Sequence, residues 1–264
     1  MNLTELLDAV RDDPGAITIP AHWAQGRTCF GGLMVALLYE AMRGRLGDDR
    51  PLRSLVATFV APPAAETPIA FEVEVVRQGK SVSHMLGRAL QDGEITTLAQ
   101  ASFGAARESR IEVSALPAPA LPPMENATPL PYIPGVTPEC FRHFDLRWAL
   151  GGMPFTGTAS REVGGYVQLR EPGSEVLDVT RLLALADAWP PAVLPHLTRP
   201  TPGSSLTWTI EFVHPLPVLR GDDYLRYRAV IEHARDGYGH TAATLWSPSG
   251  ELVAISRQTV TVFG

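Results

Sequence analysis

Lysine is nearly missing from this chain: Lys80 stands alone among 22 basic residues in 264. The other cations are guanidinium groups, which suit bidentate carboxylate or phosphate contacts, although a coding bias is the simpler account. Cysteine is scarce too. Two residues, Cys29 and Cys140, give neither a disulfide framework nor a four-cysteine zinc site. Positive charge is not in excess. A net charge of −6 and a pI of about 5.6 argue against a duplex nucleic-acid surface, which needs clustered cations. No apolar run approaches the roughly 18 residues of a membrane span. Met1 to Pro20 lacks a basic start followed by a long apolar stretch, so a cytoplasmic protein is expected. Gly-x-Ser-x-Gly, His-Glu-x-x-His, Gly-x-Gly-x-x-Gly and the P-loop are all missing, which counts against serine-hydrolase, zinc and dinucleotide chemistry. The seven histidines lack zinc spacing, so no metal and no cofactor is expected. Cys29, just before a helix, is a conceivable nucleophile, but no base is assigned to it.

What is present is a repeat. Ala57 to Pro63 reads much like Ile210 to Leu216, and Arg77-Gln-Gly79 much like Arg235-Asp-Gly237. The offsets between the copies stay near 155: Pro215 lies 153 after Pro62, Gly237 lies 158 after Gly79, and Gly250 lies 157 after Gly93. So long a period means a duplicated domain, not a solenoid. A composition of 45% hydrophobic residues with mean hydropathy of +0.03 fits a globular protein with a sizeable core. Residues 2–10 predict a short amphipathic helix, and 17–24 an extended segment. Leu33, Met34, Leu37, Leu38, Ala41 and Met42 fall at helical spacing between Gly31-Gly32 and Gly44, which predicts a largely buried helix. Strands are expected at 52–60, 69–77, 81–91 and 95–105, with turns at Gln78-Gly79 and Asp92-Gly93. Eight prolines between Pro117 and Pro138 predict a linker. A second helix, capped by Asp178 or Thr180, is expected to run to about Trp189 before Pro190-Pro191. Strands follow at 204–213, 224–234, 239–246 and 251–263. The division is 1–114, a linker at 115–140, and 141–264. The class is α+β: one helix and an antiparallel meander, present twice.

The halves differ in chemistry. Asp187 sits in the apolar run Leu182-Leu-Ala-Leu-Ala-Asp-Ala-Trp189, near a helix C-terminus whose dipole opposes a carboxylate. Burial there would raise its pKa toward that of a general base for water. Gln258 shares the parity of Val260 and Val262, so its amide is expected inside and hydrogen-bonded. At the equivalent place the first half has Gln100 or Ala101.

The chain resembles the double hot-dog acyl-CoA thioesterases of the acyl-CoA thioesterase II family. The resemblance rests on Phe30-Gly-Gly32, Phe59-Val-Ala-Pro62 and Arg77-Gln-Gly-Lys-Ser81 in the first half. In the second it rests on Phe144-Asp-Leu-Arg147, Ala186-Asp187, Glu211-Phe-Val-His-Pro215 and Ser256-Arg-Gln258. It implies a double hot-dog pseudo-dimer that hydrolyses fatty acyl-CoA without a cofactor. It also implies an Asp, a hydroxyl and a Gln around a water, matched by Asp187, Ser205 and Gln258. Strand alternation puts Ser205 opposite the apolar face unless a bulge re-aims it; Thr207 is the other candidate hydroxyl. Backbone N–H groups of Gly31 and Gly32 could receive the thioester oxygen. Arg77, Lys80 and Arg235 are candidate contacts to CoA phosphates. Other readings are an acyl-CoA-binding protein without turnover, or a hydratase using Asp187 and His196. A homodimer is expected.

Overall fold

The computed structural model describes residues 1–263. Helix α1 (Leu3–Asp12) starts on a capping box: Asn2 accepts from the Glu5 amide, and Glu5 returns the bond to the Asn2 N–H. It buries Leu3, Leu6, Leu7 and Val10. After β1 (Ile17–Thr18) and a small ribbon of β2 (Ala24–Gln25) and β3 (Thr28–Cys29) comes α2 (Gly31–Leu46). Twelve of its 16 residues are buried, as apolarity on most faces requires. It runs past Gly44 and stops at Gly47, whose φ of 73° suits a glycine cap.

Four strands follow: β4 (Leu52–Phe59), β5 (Pro68–Gln78), β6 (Val82–Gln91) and β7 (Glu94–Gly104). The proline-rich stretch is not purely a linker. It carries β8 (Thr128–Leu130), which pairs with β9 (Phe144–Leu150) at the sheet edge, where Pro129 is tolerated. Then come β10 (Glu162–Leu169), α3 (Val179–Ala186), β11 (Gly203–Phe212), β12 (Leu225–Arg235), β13 (Tyr238–Trp246) and β14 (Leu252–Val262).

One twelve-stranded sheet results, in the order β1-β5-β6-β7-β4-β11-β14-β13-β12-β10-β9-β8. The two meanders meet at its centre, where β4 pairs with β11. Helices α2 and α3 pack against each other, giving the double hot-dog arrangement. The duplication extends to its irregularities. The break in the β4–β7 ladder at Leu52/Ser54 recurs in β11–β14 at Ser205/Thr207, an offset of 153 (205 against 52). The break in β5–β6 at Val75/Arg77 recurs in β12–β13 at Ile231/His233, an offset of 156 (231 against 75). Among the described residues no helix is long and apolar enough to cross a membrane.

Candidate active site

Asp187 is not inside its helix, as the sequence predicts, but is the C-cap residue after Ala186. Pro190 accounts for the difference: in a continued helix its ring would clash with the carbonyl four residues back, that of Ala186. Ending there turns the Asp187 side chain toward the other half of the molecule. Its Oδ1 accepts from Gln258 Nε2 at 2.5 Å, and its carboxylate also accepts from the Gly32 N–H at the start of α2. The two glycines make room for it. A Cβ on Gly31 would lie 2.9 Å from Asp187 Oδ2, and one on Gly32 would lie 2.8 Å from Asp187 Cβ.

The first turn of α2 has N–H groups without intrahelical acceptors, and its N-cap, Phe30, supplies no side-chain bond. Asp187 takes up that of Gly32 and leaves those of Gly31 and Leu33. Asp187 lies deep in the protein mass, yet the residue stays partly accessible to solvent. Burial pushes its pKa up to about 7, against the opposing pull of the Gln258 and Gly32 hydrogen bonds.

Gln258 faces Trp208 on β11 and Thr241 on β13. The β11–β14 ladder slips between Ser205 and Thr207, with Leu206 as the extra residue. The slip puts Ser205 opposite buried Val260, on the face that carries Gln258. Thr207 falls on the other face, opposite Thr58 and Thr259, and is exposed. The structure thus brings Asp187, Gln258, Gly31 and Gly32 together, aligns Ser205 with them, and leaves Thr207 out. Among the described residues Ser205 makes no hydrogen bond to Asp187 or Gln258.

An aromatic wall stands beside the carboxylate, and no local sequence pattern flags it. Trp189 stacks on Tyr227 at 5.0 Å and 6°, and Trp148 tilts against Trp189 at 5.1 Å. Burial, then the nearby Asp187 charge, raises the Tyr227 pKa. The Trp189 indole N–H is buried without a partner. Rival chemistry fares poorly. Burial pushes the Cys29 and Cys140 thiols up to about 12, so neither is a thiolate nucleophile at neutral pH. His196 donates to the Ser160 carbonyl at 2.7 Å rather than pairing with Asp187. Among the described residues no group of three His, Cys, Asp or Glu could hold a metal.

The other end of the helix pair is closed. There Thr180, in the first turn of α3, donates to Glu40 of α2 at 2.7 Å, and Arg11 donates to the same carboxylate at 2.7 Å. Ala101 holds the register place of Gln258, since Leu55 faces Ala101 as Trp208 faces Gln258. Leu52 stands at the bulge where the second half has Ser205. One half-site keeps an accessible carboxylate; its counterpart holds a buried, fully paired one. Glu40→Ala should therefore cost stability, about 1–3 kcal/mol for the buried Thr180 hydroxyl left without its acceptor, since Arg11 stays solvated, readable by denaturant unfolding.

The comparisons with known proteins bear on family and fold. Residues 19–104 match the acyl-CoA thioesterase N-terminal domain, and residues 120–262 match the acyl-CoA thioesterase C-terminal domain. Acyl-CoA thioesterase 2 of Haemophilus influenzae is 35% identical over 77 residues, covering 29% of this chain and 27% of that protein. Human acyl-coenzyme A thioesterase 8 is 30% identical over 105 residues, covering 40% and 33%. The matched stretches thus span a third or less of these curated relatives. In fold, the chain is similar to a hot dog protein of unknown function from Alicyclobacillus acidocaldarius, with a TM-score of 0.82, 24% identity and 97% and 98% of the two chains covered. It is also similar to the acyl-CoA thioesterase II TesB2 of Mycobacterium marinum, with a TM-score of 0.72, 22% identity and 97% and 98% covered. With both of its halves matched in order, the chain belongs to the acyl-CoA thioesterase family.

Proposed function

We propose that the protein hydrolyses acyl-CoA thioesters to free acid and CoA, using water activated by Asp187. The observation that carries this reading is a partly accessible carboxylate held by the Gln258 amide, whose burial pushes its pKa up to about 7. Near neutral pH such a group is substantially ionised and still basic enough to take a proton from water. Gln258 and the Gly32 N–H fix its orientation. The Ser205 hydroxyl, on the same face, positions the water. Attack on the carbonyl carbon moves charge onto the thioester oxygen, which an N–H of the first turn of α2, that of Gly31, receives. Collapse of the tetrahedral species breaks the C–S bond, and the proton held by Asp187 passes to the leaving sulfur. The balance is thioester plus water to acid plus thiol.

Fatty acyl-CoA is the substrate class, in keeping with the family. The two buried free cysteines fit a reducing compartment such as the cytoplasm. The test is release of CoA thiol over a panel of acyl lengths. Tight binding without turnover at any length would favour a binding protein instead. Ser205→Ala should lower kcat about tenfold, the scale of one lost positioning hydrogen bond, whereas Thr207→Ala should leave it near wild type. Equal effects of the two would remove Ser205 from the mechanism.

A further inference from the structure

The two helices differ in length, and the difference opens a cavity. In the first unit α2 reaches Leu46, whose carbonyl accepts from Gln78 at 3.3 Å. Arg50 then reaches across to the Gly79 carbonyl at 2.8 Å and the Ser83 hydroxyl at 3.0 Å. The inner end of the β5–β6 hairpin is thereby covered. In the second unit α3 stops after eight residues, and the chain peels away through Pro190-Pro191. The inner end of the β12–β13 hairpin is left open over a cavity of about 550 Å³, walled by Val193, Ile231 and Val262.

We propose that this cavity holds the phosphorylated, nucleotide end of CoA, with Arg161 and Arg235 as its phosphate contacts. The proposal rests on the thioesterase reading. Distance supports it. Val262 lies four residues beyond Gln258 on β14, and Ile231 four beyond Tyr227 on β12. Each separation is about 13 Å at a strand rise of about 3.3 Å per residue. The pantetheine arm, a linear run of amides and methylenes, spans roughly 15 Å when its bonds extend as a peptide's do. A thioester at Asp187 therefore has its diphosphate within reach of this cavity.

Charge supports it as well. Arg161 donates to the Ile231 and Glu232 carbonyls at 3.1 and 2.9 Å, and no carboxylate of the described residues pairs with it. Arg235 has only Asp236 at 3.9 Å, with both side chains exposed. The Glu232 carboxylate at the rim is paired with Arg257. The rim thus keeps guanidinium groups free for an anion, which an acyl chain would not use and a phosphate would. Arg77 and Lys80, the matching candidates of the first unit, border the covered hairpin and lack such a cavity.

The test compares acyl-CoA with the same acyl group on N-acetylcysteamine, which keeps the thioester and lacks every phosphate. For Arg161→Gln with Arg235→Gln, the ratio of kcat/KM for acyl-CoA to that for the short thioester should fall roughly 10- to 100-fold, the scale of one or two lost charge-assisted contacts. Inhibition by 3′,5′-ADP should weaken in parallel. Arg235→Gln alone, at an exposed hairpin, should show part of the fall if the double variant unfolds. An unchanged ratio, or an altered acyl-length preference, would overturn the proposal. If wild type turns over neither substrate, the hydrolase reading fails separately, and calorimetry with CoA decides the subsite: equal affinity in wild type and variant, or no binding to wild type, would overturn it.

Discussion

Replacing Asp187 with asparagine is expected to remove thioester hydrolysis and to stabilise the fold at the same time. Asparagine keeps the size of the side chain and an oxygen that can accept from Gln258 Nε2. It cannot take a proton from water. The loss in kcat/KM should reach roughly 10²- to 10⁴-fold, the range for a missing general base. In wild type, kcat/KM should rise with pH and level off above about 7, where the Asp187 carboxyl is ionised. Stability runs the other way. The folded-state pKa is raised from 3.8 to about 7, so the fold favours the protonated acid. That contribution is fully present below pH 3.8 and is lost as pH rises through about 7. Its upper size is about 4 kcal/mol, at 1.36 kcal/mol for each pH unit between the two values. Asp187→Asn has no such loss, so its stability advantage should grow between pH 4 and 7 and then stay constant. Urea unfolding at pH 5 and pH 8 reads that difference, and thiol release reads the rate. Wild-type turnover by the asparagine variant would end the role given to Asp187.

Much of the architecture is legible in the sequence because the repeat is encoded locally. Whereas β8, β9 and β10 lie outside every predicted strand, the four meander strands of each unit lie within one or two residues of their predicted limits. Their hairpins announce themselves: Asp92-Gly93 and Asp236-Gly237 all adopt positive φ, the conformation that favours Asp and Gly in a two-residue turn. The site is only half legible. Asp187 stands out as a carboxylate in an apolar run, but its place as a cap depends on how Pro190 ends the helix. Simple alternation puts Ser205 on the wrong face, and only the extra residue at Leu206 returns it. The bond between the Gly32 N–H and Asp187 joins residues from opposite halves, so no local pattern could reveal that the glycine holds the carboxylate. The cavity near Arg235 likewise follows from the unequal lengths of α2 and α3, a property of the pair and not of either segment.

Gly32→Ala is the second change expected to be severe, although it adds one methyl group far in sequence from Asp187. Neither glycine at this helix start has a positive φ, so conformation is not the reason glycine is needed; close approach is. A Cβ on Gly32 would meet the Phe30 ring at 2.7 Å and Asp187 Cβ at 2.8 Å, distances at which something must move. Phe30 is almost fully buried and packs edge-on against Phe144 at 5.4 Å, so it has little room to yield. The displacement should fall on Asp187, stretching its bonds to Gln258 and to the Gly32 N–H. A shift of the order of 1 Å in a catalytic group costs about 100-fold in rate, and overpacking at such a place costs roughly 1–3 kcal/mol in stability. Gly44 is the control. It lies in the same helix, and a Cβ there meets nothing within 4 Å. Gly44→Ala should stabilise the fold by about 0.5–1 kcal/mol through helix propensity and leave kcat/KM near wild type. Measured side by side, the two variants separate the demands of the helix from those of the carboxylate it faces. A Gly32→Ala protein with full activity would mean that the first turn of α2 does not set the position of Asp187.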